Sequence, residues 1–195
     1  MRASEKTRRL TGLALMTAIV VVLQLVASMF VRVGIVAPTL ALAPIIIGAA
    51  LYGVSAGAWL GAVFGIVVFL ACVAGWDGGG NVLFTANPFL TFALCIVKGA
   101  AAGLVAGAVY RALEPRSPMG ASLTSGIICP VVNTGIFCAA LALFYHDTLV
   151  AWAGGTNLVF YVITGLVGLN FLLELVINLA LSTVIVRVVS ARKHA

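Results

Sequence analysis

Two ionisable side chains stand inside long apolar runs: Lys98 in FALCIVKGAAAGLVAG (residues 92–107) and Glu174 in NFLLELVINLAL (residues 170–181). An ionisable group at mid-bilayer costs at least about 2.5–3.5 kcal/mol on insertion scales, so each requires a partner or a task. A lysine there suits a ligand's carboxylate or carbonyl, and a carboxyl suits a cationic ring. The plainer use is a Lys–Glu bridge that only fixes helix packing. Amides accompany the pair. Asn170, Glu174 and Asn178 recur every four residues and make one polar stripe on a helix. Asn133, in CPVVNTG, follows Pro130, whose missing donor frees backbone polar groups near the same level.

The elements that must position these groups follow from composition. The chain has 195 residues, 63% hydrophobic and 8% charged, with a mean hydropathy of +1.23. Soluble domains carry about a quarter of their residues charged, so this is a membrane protein. Several apolar runs reach about 20 residues, enough to cross about 30 Å of hydrocarbon as helix. The pattern predicts an all-α membrane protein, one transmembrane domain over 1–195, built as a compact bundle of six transmembrane helices. They are placed at about 10–30, 38–52, 54–74, 88–112, 120–145 and 158–189.

The net charge of +6 comes from the flanks. Arg2, Lys6, Arg8 and Arg9 precede the first run, Arg111 and Arg116 sit in RALEPRSPM, and Arg187, Arg192 and Lys193 follow the last. Cytoplasmic flanks attract such residues, so both termini and the 111–119 connection are expected inside, and nucleic-acid binding is not. The first run lacks a small-x-small cleavage site and reads as a retained helix.

Helical rise then sets depth. Lys98 lies about 15 Å below the outer end of its helix, Asn133 about 18 Å below Tyr145 and Asn170 about 18 Å below Leu158, with Glu174 one turn deeper. Lys98 is therefore expected to face the interior of the last three predicted helices, answered by Glu174 or by a ligand's acid group. Two loops, 75–87 and 146–157, are expected outside. Their Trp76 and Trp152 either mark the membrane interface or cover a site. With Asn81, Asn87 and Asn157 they join Lys98, Asn133, Asn170 and Glu174 in the candidate substrate-binding set.

Small residues repeat at helical spacing, in Gly53, Gly57, Gly61 and Gly65 and again in Gly99, Gly103 and Gly107. Such ladders let helices approach closely in lipid. Ala14 and Ala18 share one face of the first helix. The four cysteines, Cys72, Cys95, Cys129 and Cys138, are scattered singly and read as small hydrophobes. No phosphate-binding loop, His-Glu-x-x-His, Gly-x-Ser-x-Gly or acidic cluster is present, so neither catalytic residues nor a metal or cofactor is expected. Both histidines, His146 and His194, fall at helix or chain ends. The halves do not visibly repeat, which weighs against an inverted-repeat transporter. The residues leave three classes open: a binding subunit that borrows its energy, a stand-alone secondary transporter or small channel using Lys98 and Glu174, and a structural membrane subunit.

The chain resembles the substrate-binding S components of energy-coupling factor (ECF) vitamin transporters over essentially its whole length. The resemblance rests on six helices in fewer than 200 residues and on LALMTA with Ala14 and Ala18. It rests also on GAALYGVSAGAWLGAVFG, NPFLTFALCIVKGAAAGLVAG and CPVVNTGIFC. It implies that the first three helices dock on a coupling membrane subunit, with Ala14 and Ala18 in the contact. That subunit rides on two cytoplasmic ATPases. It implies that helices four to six hold the substrate toward the outside, with Lys98, Asn133, Asn170 and Glu174 lining the pocket. The expected setting is a prokaryotic cell membrane and the expected cargo a small water-soluble vitamin or related micronutrient. Metal ions are not expected, since MRASEKTR lacks the N-terminal histidine region of the metal-transporting branch.

Overall fold

A computed structural model describes residues 5–30 and 39–193. Arg2, His194 and the first residue of the predicted second helix lie outside the described residues, as does the side chain of Asn170. Helices fill the described chain, and no strand occurs among these residues. In order they are α1 (Glu5–Phe30), α2 (Leu42–Tyr52), α3 (Val54–Ala74), α4 (Gly78–Ala86), α5 (Pro88–Leu113), α6 (Pro118–Phe144), α7 (His146–Ala153) and α8 (Leu158–Tyr161). A π-helical stretch, Val162–Gly168, then leads into α9 (Leu169–Lys193).

Among the described residues, five stretches are long and apolar enough to cross a membrane: α1, α3, α5, α6 and Leu158–Leu181. The second predicted helix is shorter. The 11 residues of α2 rise only about 16 Å, half a hydrocarbon core. Local chemistry sets the other ends. Asn87 and Ser117 each cap a helix that opens on proline, accepting from Leu90 N at 3.1 Å and Gly120 N at 3.0 Å. A single residue, Gly53 at φ 98°, turns the chain from α2 into α3, a conformation that excludes a side chain.

Both stretches expected as polar loops contain short helices. Asp77 caps α4 by accepting from Gly80 N at 3.0 Å, and Leu83 pays out its burial on the inner face of that helix. Capping and packing thus override three consecutive glycines, poor helix formers by themselves. At Gly80 a Cβ would strike the sulfur of Cys72, so α4 sits close against α3.

The glycine ladders interlock. A Cβ at Gly57, Gly61 or Gly65 would collide with the carbonyl oxygen of Gly103, Gly99 or Cys95 respectively. α3 and α5 form the most extensive contact in the molecule, α5 then packs on α6 and α6 on α9, while α1 and α2 lean on α3. One apolar cluster, with Leu42, Ile45, Leu60, Phe64 and Ala106, fills the half nearer the α2–α3 joint. A second, with Leu83, Leu94, Leu141, Tyr145 and Leu149, fills the half nearer α4 and α7.

Candidate functional site

Lys98 sits at the seam between the two clusters and is 8% exposed. Its ammonium lies 5.1 Å from the ring centroid of Phe137 on α6 and 6.0 Å from that of Phe64 on α3. Cation–π attraction of this kind contributes about 1–2 kcal/mol when desolvated, and it holds the head group without neutralising it. Phe64 belongs to one cluster and Phe137 packs on the other, so both rings are fixed by the core.

The lysine faces a small enclosed cavity lined by Cys72 of α3, Asp77 and Leu83 near α4, Thr91 and Cys95 of α5, and Phe137. Its volume of about 20 Å³ suits a single water molecule. Polar contacts close it toward the α4 and α7 end. The Thr91 and Tyr145 hydroxyls stand 2.8 Å apart and lie 2.8 and 3.2 Å from Asn87 O, so their two protons serve two of these three contacts at a time. Asn81 Nδ2 donates to Cys72 O at 2.9 Å and ties α4 to the end of α3.

Glu174 stands elsewhere. No ion pair joins it to Lys98 among the described residues. Its Oε1 accepts from the backbone of Thr39 at 2.9 Å, just before α2, and its Oε2 is buried without a hydrogen-bond partner. The short α2 begins inside the bundle, where non-helical backbone is tolerated only if other groups satisfy it. Ala41 provides no side-chain cap, and the carboxyl of Glu174 on α9 holds instead the backbone two residues before it.

Asn133 stands on α6 between Cys129 and Phe137, the ring beside Lys98. Asn133 is about one turn from each, 4% exposed, and its Oδ1 has no hydrogen-bond partner. An unmatched buried acceptor costs about 1–3 kcal/mol, which singles it out as a group able to receive a donor.

The remaining predicted residues divide. Asn87 and Asn157 are helix caps, Asn157 Oδ1 accepting from Val159 N at 3.0 Å and Phe160 N at 3.3 Å. Asn81 serves α4, and Trp76 and Trp152 are half-buried, the latter packed on the second cluster. Ala14 and Ala18 are both exposed, on a face of α1 that no other described part of the chain covers. Sequence reading missed Phe64, Thr91, Phe137 and Tyr145 as neighbours of the site. No spacing marks an aromatic beside a lysine on another helix; only Asp77, a capping type before a glycine run, carried a local signal.

A much larger cavity, about 750 Å³, opens at the opposite end of the bundle. The Lys98 cavity is the smaller and less open of the two, and its cation lies deep in the core. No curated protein matches the chain. A family described as ECF transporter, substrate-specific component, matches it over residues 8–186.

Proposed function

The chain belongs to the family of ECF transporter substrate-specific components, and from that membership we propose that it captures a small water-soluble, vitamin-like molecule at Lys98. Lys98 holds an acid or carbonyl group of the substrate, Phe64 and Phe137 steady the ammonium, and the free acceptor of Asn133 takes a donor from the same molecule. The observation that carries this reading is a core-fixed ammonium facing an enclosed cavity between α3, α4, α5 and α6. A cavity of about 20 Å³ does not admit such a molecule, so entry requires α4 to shift away from α3. Breakage of the Asn81–Cys72 contact and opening of the Thr91–Tyr145 seal accompany that movement. Asn81, Asn87, Trp76, Trp152 and Asn157 then act by placing the elements that close over the substrate.

The proposal includes the orientation. The α4 and α7 end faces outside, both termini face the cytoplasm, and α2 completes a sixth pass, the backbone before its first turn anchored by Glu174. The exposed Ala14 and Ala18 meet a coupling membrane subunit in the prokaryotic cell membrane, and two cytoplasmic ATPases supply the energy. The chain is a transport subunit and not an enzyme. An ion relay from Lys98 to Glu174 gains no support from the geometry, because the two are not paired. Uptake by proteoliposomes separates the readings. Accumulation of the bound compound with coupling subunit, ATPases and ATP, and none with the chain alone, is the expected result; accumulation by the chain alone overturns the proposal.

A further inference from the structure

The cavity at the other end of the bundle is not used by the substrate site, and its lining has a chemistry of its own. Its walls come from the first turns of α1, the α2–α3 joint and the last turn of α5. A volume of about 750 Å³ falls in the range of pockets that hold small ligands. Lys6, Arg8, Arg9 and Arg111 line it, opposed among the described residues by Glu5 and Glu114. Arg9 is oriented by one hydrogen bond, donated to Tyr52 O at 2.9 Å, which leaves further guanidinium donors for another acceptor. Tyr110 forms part of the floor. It is 1% exposed, and its hydroxyl has no hydrogen-bond partner. Buried hydroxyls are as a rule satisfied, so an unmatched one under a cationic rim calls for a group rich in acceptors. Leu10, 67% exposed, continues from the rim along the apolar side of α1.

We propose that this groove binds the phosphate group of an anionic molecule, with the headgroup of an anionic phospholipid as its occupant and Tyr110, Arg9 and Arg111 as the groups that read it. Arginine forks match phosphate oxygens two at a time, and the hydroxyl of Tyr110 donates to a third oxygen. Each basic residue held at an anionic membrane surface strengthens association about fivefold.

The test reconstitutes the full chain in nanodiscs of phosphatidylcholine with phosphatidylglycerol and measures the lipid retained on release by native mass spectrometry. The wild-type chain should retain phosphatidylglycerol in preference to phosphatidylcholine. Tyr110→Phe keeps the buried ring and should lower that retention about three- to tenfold, and Arg111→Gln about tenfold. Melting temperature, measured on the same samples, verifies that each variant is folded. A parallel arm adds inorganic phosphate. Displacement of the lipid by phosphate shows that the phosphate group alone is read, and retention in its presence shows that the glycerol and acyl chains are read too. Equal retention of the two lipids by the wild type, or unchanged preference in the folded Tyr110→Phe chain, overturns the proposal.

Discussion

Replacement of Glu174 tests whether its carboxyl anchors α2 or answers Lys98. The Thr39 N–H that it accepts is 2.9 Å away, and the two residues are 5% and 7% exposed. Glu174 lies within Leu158–Leu181, a stretch long and apolar enough to cross a membrane. Glu174→Ala leaves that donor unmatched where no lipid can take it, which costs about 1–3 kcal/mol. At roughly 2–4 °C per kcal/mol for a chain of this size, the melting temperature should fall by about 2–12 °C. Glu174→Gln keeps a carbonyl acceptor in the same place, so its loss should stay below about 1 kcal/mol. Ligand affinity should change by less than about threefold in the Gln variant, because no contact carries the change to Lys98. Both quantities are read on purified chain in detergent, by thermal melting and by ligand titration. Equal destabilisation by Gln and Ala refutes the anchoring role. Recovery of a destabilised Lys98→Ala chain by added Glu174→Gln refutes the separation of the two groups.

Three further outcomes follow from packing and exposure. Gly61→Ala should lower stability by about 1–3 kcal/mol, since its Cβ meets the Gly99 carbonyl, whereas Gly135→Ala, with nothing within 4 Å of its Cβ, should be neutral or gain up to about 1 kcal/mol; thermal melting of both variants checks the pair. Ala14→Trp with Ala18→Trp should leave melting and substrate binding of the isolated chain unchanged, because both sites are exposed, while abolishing co-purification with the coupling subunit. Cysteines placed at the exposed Gly78 and Ala151, with the native cysteines replaced, should react with a membrane-impermeant reagent in intact cells, and one at Arg116 only after permeabilisation; the reverse pattern inverts the proposed orientation.

The long helices were legible because hydrophobic run length and capping residues are local. Pro88 after Asn87 and Pro118 after Ser117 mark their starts. The glycine ladders were legible as close-packing surfaces, although spacing alone did not say that Gly61 would meet Gly99. What sequence withheld was direction around the bundle. Depth along a helix follows from rise per residue, so Lys98, Asn133 and Glu174 were placed at similar levels. Which neighbour each faces depends on helix rotation and order, which a single sequence does not encode locally. That is why Lys98 meets Phe64 and Phe137, while Glu174 turns to Thr39. The helix α4 was hidden for a related reason, since its stability comes from the Asp77 cap and from packing on α3 and not from its glycines.

The central claim is that Lys98 holds the substrate, and native mass spectrometry of the wild-type and Lys98→Met chains, purified in parallel from cells grown in rich medium, tests it most directly. Methionine keeps the length and the aromatic packing of lysine but removes the charge-assisted bond, a loss of about 2–5 kcal/mol or roughly 30- to several thousand-fold in affinity. The account predicts one small water-soluble molecule bound to the wild-type chain and absent from a Lys98→Met chain that melts normally. Equal retention by the two chains, or no retained molecule on the wild type, contradicts it.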